Sequence, residues 1–203
     1  ATPGDVGAFG LMYQWGRKDP FLGSSSISSS VSAVSTGIWN ISDESIYLVE
    51  AAKAEENPMV FYTRMWLPVG SWDSAKTAYD PCPVGWRVPE GGQNGVWAKA
   101  LGTSESIIMS YDKTNSGFDF TGVYGDAESI WYPASGYRQG TTTGLTAGGI
   151  YGVNTRGHYW SCSPLESTSV IGSLTLTFWD DGNVYPSQSG NRTTLNSVRC
   201  LQE

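Results

Sequence analysis

Residues 80–90 read DPCPVGWRVPE. Pro81, Pro83 and Pro89 each fix φ at about −65° and remove a backbone donor, so this stretch can form neither a helix nor a long strand. The chain therefore stiffens its backbone around one cysteine, Cys82, and one tryptophan, Trp86. Such a segment is an active site, a metal site or a structural clasp. A metal site needs further ligands at short spacing. The other cysteines, Cys162 and Cys200, are distant in sequence, no C-x-x-C occurs, and no histidine lies nearby. Half of a long-range disulfide is the reading that remains, with one thiol left over and its partner open between Cys162 and Cys200. Trp86 is expected to anchor the core, and Pro89 to turn the chain onward.

On either side of the clasp the pattern predicts two short helices. SWDSAKTAYDPC has Ser71 or Asp73 as caps, Ala75 and Ala78 inside, and Pro81 as its stop; GVWAKAL, Gly95–Leu101, has Asn94 as cap and Gly102 as terminator. Strand-like pieces lie at Phe9–Trp15 and Met59–Leu67. After residue 101 they alternate with glycine-rich turns: Gly117–Phe120, Ile130–Ser135, Gly149–Val153, His158–Ser163, Ile171–Trp179, Asn183–Pro186 and Ser197–Leu201. In SLTLTFW, Leu174, Leu176 and Phe178 share one face while Thr175, Thr177 and Trp179 share the other. Asp181-Gly182 then signals a hairpin. In YWSCS the same alternation sets Cys162 beside Trp160, and both are expected inside. The serine-rich run 24–36 reads as a loop. Two short helices and many short strands predict an α+β domain spanning 1–203.

Several functions are disfavoured. A formal charge of −7 with no basic cluster argues against nucleic-acid binding. No apolar run approaches the ~20 residues that span a bilayer. G-x-G-x-x-G, G-x-x-x-x-G-K and G-x-S-x-G are all missing, and His158 is the one histidine, so phosphate cradles and a hydrolase elbow have no basis. Asp180, Asp181 and Asn183 could be read as a calcium loop, but the EF-hand order is not there, and Asp-Gly is itself a turn. No metal and no cofactor is expected. Asn40-Ile41-Ser42 and Asn191-Arg192-Thr193 match the N-glycosylation pattern.

CPVGWRVP at 82–89 resembles the signature of the Fibrobacter succinogenes major paralogous domain family. YQWGRKDPF (13–21), YPASGYR (132–138), YWSCSP (159–164), GNVYPS (182–187) and SVRC (197–200) follow in the same order, so the resemblance runs from Gly7 to Cys200. It implies a C-type-lectin-like fold, export to the surface of a Bacteroidetes-type bacterium, and a place as the C-terminal module of a longer lipoprotein or fimbrillin-associated protein. It implies no catalytic residue. With it we expect Cys82 to pair with Cys200, leaving Cys162 as the free thiol. Cys162 stands where the family usually has Ser, and Leu195-Asn196 where it usually has Gly-Phe. That third of the chain is the diversified region in the lectin-like variable proteins of diversity-generating retroelements.

The expected function is a non-enzymatic, adhesin-like module that binds a protein or glycan ligand. Its surface is expected to be built from Asn154, Arg156, His158, Thr175, Thr177, Trp179, Tyr185, Gln188, Asn191, Thr194 and Asn196. An outward Trp179 is the centre of that reading, because exposed indole is costly unless a ligand uses it. Adaptable amides and rigid rings together make an effective contact surface. The alternatives are a pilus-tip or spacer domain touching fimbrial subunits and, more remotely, an enzyme of the formylglycine-generating type, whose cysteine motif is not matched here.

Overall fold

A computed structural model describes residues 3–23, 40–42, 56, 60–62, 72–120, 130–140, 148–165 and 172–203. The serine-rich run 24–36 lies outside the described residues. The first strands are β1 (Leu11–Gln14), β2 (Phe21–Leu22), β3 (Asn40–Ser42), β4 (Val60–Tyr62) and β5 (Trp86–Arg87), followed by the helix α1 (Val96–Leu101). Next come β6 (Ile107–Ile108), β7 (Gly117–Asp119), β8 (Trp131–Pro133), β9 (Tyr137–Arg138) and β10 (Ile150–Tyr151). The long strands β11 (Arg156–Pro164), β12 (Gly172–Trp179) and β13 (Asn183–Asn191) precede β14 (Leu195–Ser197) and β15 (Leu201–Gln202).

Nine strands form one mixed sheet in the order β10-β9-β14-β11-β12-β13-β6, with β1 branching from β14 and β2 from β1. The pair β11–β14 is parallel and its neighbours in this sheet are antiparallel. The α+β, C-type-lectin-like layout with two short helices is therefore corrected. Among the described residues 41% are in strands and α1 has six residues.

The helix expected over 71–82 does not form. From Trp72 to Asp80 the chain runs through bends and turns, because its polar groups bond elsewhere than along a helical ladder. The buried Asp80 carboxylate accepts the Cys82 N–H at 2.7 Å and the Val88 N–H at 2.9 Å. Lys76 Nζ donates to Asp80 and to the carbonyls of Cys82 and Trp86, and Trp72 Nε1 donates to the Tyr79 carbonyl. These bonds fold 72–88 into the clasp, which Cys82–Cys200 closes as expected with its Cα atoms 5.7 Å apart. β15 then pairs with β5. Trp86 is corrected from core anchor to surface residue, 40% exposed. The chain turns at Val84-Gly85, Gly85 takes φ 79°, and the anchoring falls to Val88 and Cys82 instead. The second helix forms as α1, capped by Gly95 without a side-chain bond and stopped at Gly102 (φ 71°).

The long meander β11–β12–β13 has two packed faces. On one, Tyr159, Leu176, Phe178 and Val184 meet Trp97 of α1 and Phe118. The rings interlock edge to face, Phe118–Phe178 at 4.9 Å and Tyr132–Tyr159 at 4.9 Å, a geometry that adds about 0.5–1.5 kcal/mol per pair beyond area burial. On the other face, Trp160 and Cys162 pack with Trp15, Trp72, Cys82 and Val88. Trp15 Nε1 donates to the Ser161 carbonyl and Trp160 Nε1 to that of Tyr13, so the two indoles tie β1 to β11. β13 continues five residues past its expected end at Pro186. That proline falls where the register shifts, between Thr177↔Tyr185 and Thr175↔Gln188, so its missing N–H costs no ladder bond.

Candidate functional site

The antiparallel register puts side chains of one face opposite one another. Arg156 lies opposite Trp179, His158 opposite Thr177, and Thr177 opposite Tyr185. Five of the expected residues, Arg156, His158, Thr177, Trp179 and Tyr185, thus meet at one end of the meander. The Arg156 guanidinium sits 5.4 Å over the Trp179 ring, and Tyr185 lies 5.4 Å from it at 54°. Arg156 is exposed, while His158, Trp179 and Tyr185 are half-buried. Two residues not anticipated from the sequence complete the cluster. Tyr137 of β9 lies 4.6 Å from the His158 ring, and Tyr151 of β10 lies 6.1 Å from Tyr137. Their strands have two residues each, and a bridge between Gly136 and Gly157, with the Gly136 N–H donated to the Arg156 carbonyl, sets Tyr137 beside His158, a placement that no local periodicity encodes.

The alternation Leu174/Leu176/Phe178 against Thr175/Thr177/Trp179 holds, but Thr175 and Thr177 are corrected from exposed to buried, at 1% and 2% exposure. Their face is covered, and burial is tolerable because their hydroxyls are bonded. Thr175 Oγ1 donates to the Gln188 carbonyl at 3.0 Å and lies 3.1 Å from Thr177 Oγ1, which in turn lies 3.4 Å from His158 Nδ1. Burial, aided by the Arg156 charge, pushes the His158 pKa down to about 3, so the imidazole is neutral under physiological conditions. His158 Nε2 and Trp179 Nε1 are both buried and lack a hydrogen-bond partner. Each such orphan costs about 1–3 kcal/mol.

The remaining expected residues do not join this cluster. Asn154 holds the turn before β11 at φ 64°, donating its N–H to the Ala134 carbonyl and accepting from the Tyr111 hydroxyl. Gln188 is exposed and its carbonyl receives Thr175. Asn191 pairs with Gly172, at the far end of β12 from Trp179. Seven residues of strand separate the two ends, about 24 Å. Asn191 there accepts from the Thr193 N–H and hydroxyl, and Thr194 donates back to the Asn191 carbonyl. Asn196 is buried in β14, 2% exposed, and is corrected from the binding surface to the interior. The single continuous surface expected from Asn154 to Asn196 is therefore one compact cluster plus a separate, self-bonded turn.

Asp181 accepts the Asn183 N–H at 2.9 Å, which makes the acidic pair a hairpin turn. Among the described residues no three His, Cys, Asp or Glu side chains are grouped to hold an ion. Cys162 is the free, buried thiol, and burial raises its pKa to about 11. It borders a cavity of about 240 Å³ lined by Asp73, Glu90, Asn94 and Ser163. A thiol so reluctant to ionise is a poor nucleophile. Comparison of the chain with protein-family models, with curated proteins and with solved structures finds no match.

Proposed function

We propose that the chain is a non-enzymatic binding module whose ligand docks on the Arg156–Trp179–Tyr185 end of the β11–β12–β13 face. The observation that carries this reading is the stack itself. Three large side chains, one of them cationic and exposed, lie on a rigid three-strand platform, and beside them two buried polar atoms have no partner. Rigid aromatic and arginine side chains on a fixed platform are what binding hot spots are made of. A packed core gains nothing from orphan donors and acceptors. Display at the bacterial surface and partnership with fimbrial subunits belong to the same proposal and rest on the motif resemblance. The test is a screen of the intact chain against glycans and surface proteins, repeated with Arg156→Ala and Trp179→Ala. Binding lost in both variants with unchanged thermal unfolding supports the site. Binding that persists in both sinks it.

A second reading has its own observation. Val84 is 95% exposed and Trp86 40%, side by side on the clasp next to β15, the kind of apolar tip a neighbouring subunit would cover. If Val84→Ser with Trp86→Ser abolishes binding while the Arg156 and Trp179 variants keep it, the spacer reading replaces the first.

A further inference from the structure

The hydroxyl chain beneath the aromatic cluster fixes the state of His158. The Gln188 carbonyl can only accept, so the Thr175 hydroxyl donates to it. With its proton committed, Thr175 Oγ1 accepts from Thr177, and Thr177 Oγ1 then accepts from His158 Nδ1–H. A neutral imidazole protonated at Nδ1 carries a bare lone pair at Nε2. The face thus holds one buried orphan acceptor, His158 Nε2, and one buried orphan donor, Trp179 Nε1–H. They sit on diagonally adjacent ladder positions, about 7–8 Å apart.

Building on the binding reading above, we propose that the ligand of this face is a neutral saccharide, stacked on the Trp179 and Tyr185 rings. In this arrangement one of its hydroxyls donates to His158 Nε2 and one of its oxygens accepts from Trp179 Nε1–H. Hydroxyls on a ring serve both orphans, since each can donate and accept, and the ring's C–H face matches an indole. Arg156, the exposed member over Trp179, is the side chain that gives way.

Three features weigh against other ligands. A cationic peptide at Trp179 would be repelled by the Arg156 guanidinium, which stays close by when it gives way, whereas a neutral ring meets no such repulsion. An acidic ligand would meet Asp180 and Asp181 at the adjacent turn and a chain of formal charge −7. An extended peptide would need a free strand edge at the cluster, yet β12, which carries Trp179, lies between β11 and β13, and β13 pairs with β6 at Asn183 and Val184.

The test is titration of the intact chain with neutral hexose, pentose and N-acetylhexosamine oligosaccharides, with acidic oligosaccharides and with basic and acidic peptides as parallel arms. Binding is followed by affinity and by the indole N–H resonance of Trp179, assigned from its loss in Trp179→Phe. We expect a neutral oligosaccharide to bind and to shift that resonance. Trp179→Ala should weaken binding by tenfold or more, and His158→Phe by about tenfold. His158→Gln, which retains an acceptor, should recover most of the loss. Should Trp179→Ala fail to fold, Trp179→Phe carries the test, with a several-fold loss expected. Neutral saccharides bound equally by wild type, Trp179→Phe and His158→Phe overturn the inference. A peptide or acidic glycan bound in a Trp179-dependent way overturns the ligand class and leaves the binding face standing. If nothing binds in a Trp179-dependent way, both readings fall.

Discussion

Gly157 lies directly opposite Phe178 in the β11–β12 ladder, and a Cβ added there would come within 3.0 Å of three Phe178 ring atoms. The phenyl ring lies over the bare glycine, one residue from His158. It has no room to retreat: Phe178 is fully buried, with Phe118 edge-on at 4.9 Å and Tyr159 stacked at 6.1 Å. Gly157→Ala therefore forces overpacking of the main core, which typically costs about 1–3 kcal/mol. Loosening the two ring pairs adds about 0.5–1.5 kcal/mol for each one lost. Against this stands the gain of about 0.4–1 kcal/mol that alanine brings by restricting the unfolded chain. Gly157 is not among the glycines at positive φ, so that gain applies in full. The net expectation is a destabilisation of about 2–3 kcal/mol, or a Tm lower by roughly 4–12 °C for a chain of this size.

Urea unfolding followed by far-UV circular dichroism, under non-reducing conditions, measures it. A double-mutant cycle with Phe178→Leu isolates the contact. The smaller side chain should relieve the clash, so the pair should be less destabilised than the sum of the singles by about 0.5–3 kcal/mol. Gly157→Ala that is neutral or stabilising, or a cycle that is additive, refutes the packing argument.

Two further outcomes follow from buried groups. His158 has a folded pKa near 3 against about 6.5 unfolded, so below about pH 6.5 the unfolded chain binds a proton that the native state refuses, and stability falls as pH falls. The wild type should lose up to about 1.4 kcal/mol per pH unit between about pH 6.5 and 4 relative to His158→Gln, and parallel pH profiles would contradict the assignment. Removing the Cys82–Cys200 bridge, which spans 118 residues, should cost about 4–5 kcal/mol in the chain-entropy model, with Cys162 the sole thiol and silent to thiol reagents until the chain unfolds; a fast-labelling native Cys162 or a Cys82–Cys162 peptide would reverse this.

What was legible in the sequence is what short range decides. The period-two pattern over 174–179, the Asp181-Gly182 turn with Gly182 at φ 95° and the Gly102 helix stop all depend on residues a few positions apart. So does the pairing of Trp160 with Cys162 on one face. The failures have a common cause in partners distant along the chain. Residues 72–80 carry alanines and capping residues suited to a helix, but the side chains of Asp80 and Lys76 bond main-chain groups between Cys82 and Val88 and hold the segment open. Trp86 has the composition of a core residue and the position of a loop tip. Thr175 and Thr177 are polar and alternate outward, yet the second face of their strand is covered. Tyr137 is brought to His158 by the Gly136–Gly157 bridge, between residues about twenty positions apart, while β14 pairs with β1, β9 and β11.

That second face is divided along β13 by the size of its side chains. At one end stands Gly190, where an added Cβ would meet Thr175 and the Trp160 ring within 3.0 Å, so the bare backbone leaves room for the Trp160 ring to pack close to it. Trp15 and Arg192 then close over this end, with the guanidinium 3.9 Å above the Trp15 ring and its Nε bonded to the Gly172 carbonyl. At the other end β13 presents Tyr185, whose ring lies 5.4 Å from that of Trp179. That large ring flanks Trp179, and the Arg156 guanidinium lies over the indole. The face is thus closed over Thr175 of β12, 1% exposed, and half-open at Trp179 and Tyr185, with the relay from Gln188 through Thr175 and Thr177 to His158 running between the two ends. The ligand proposed for the open end would meet side chains already set by the closed end, which would lower the ordering cost of binding.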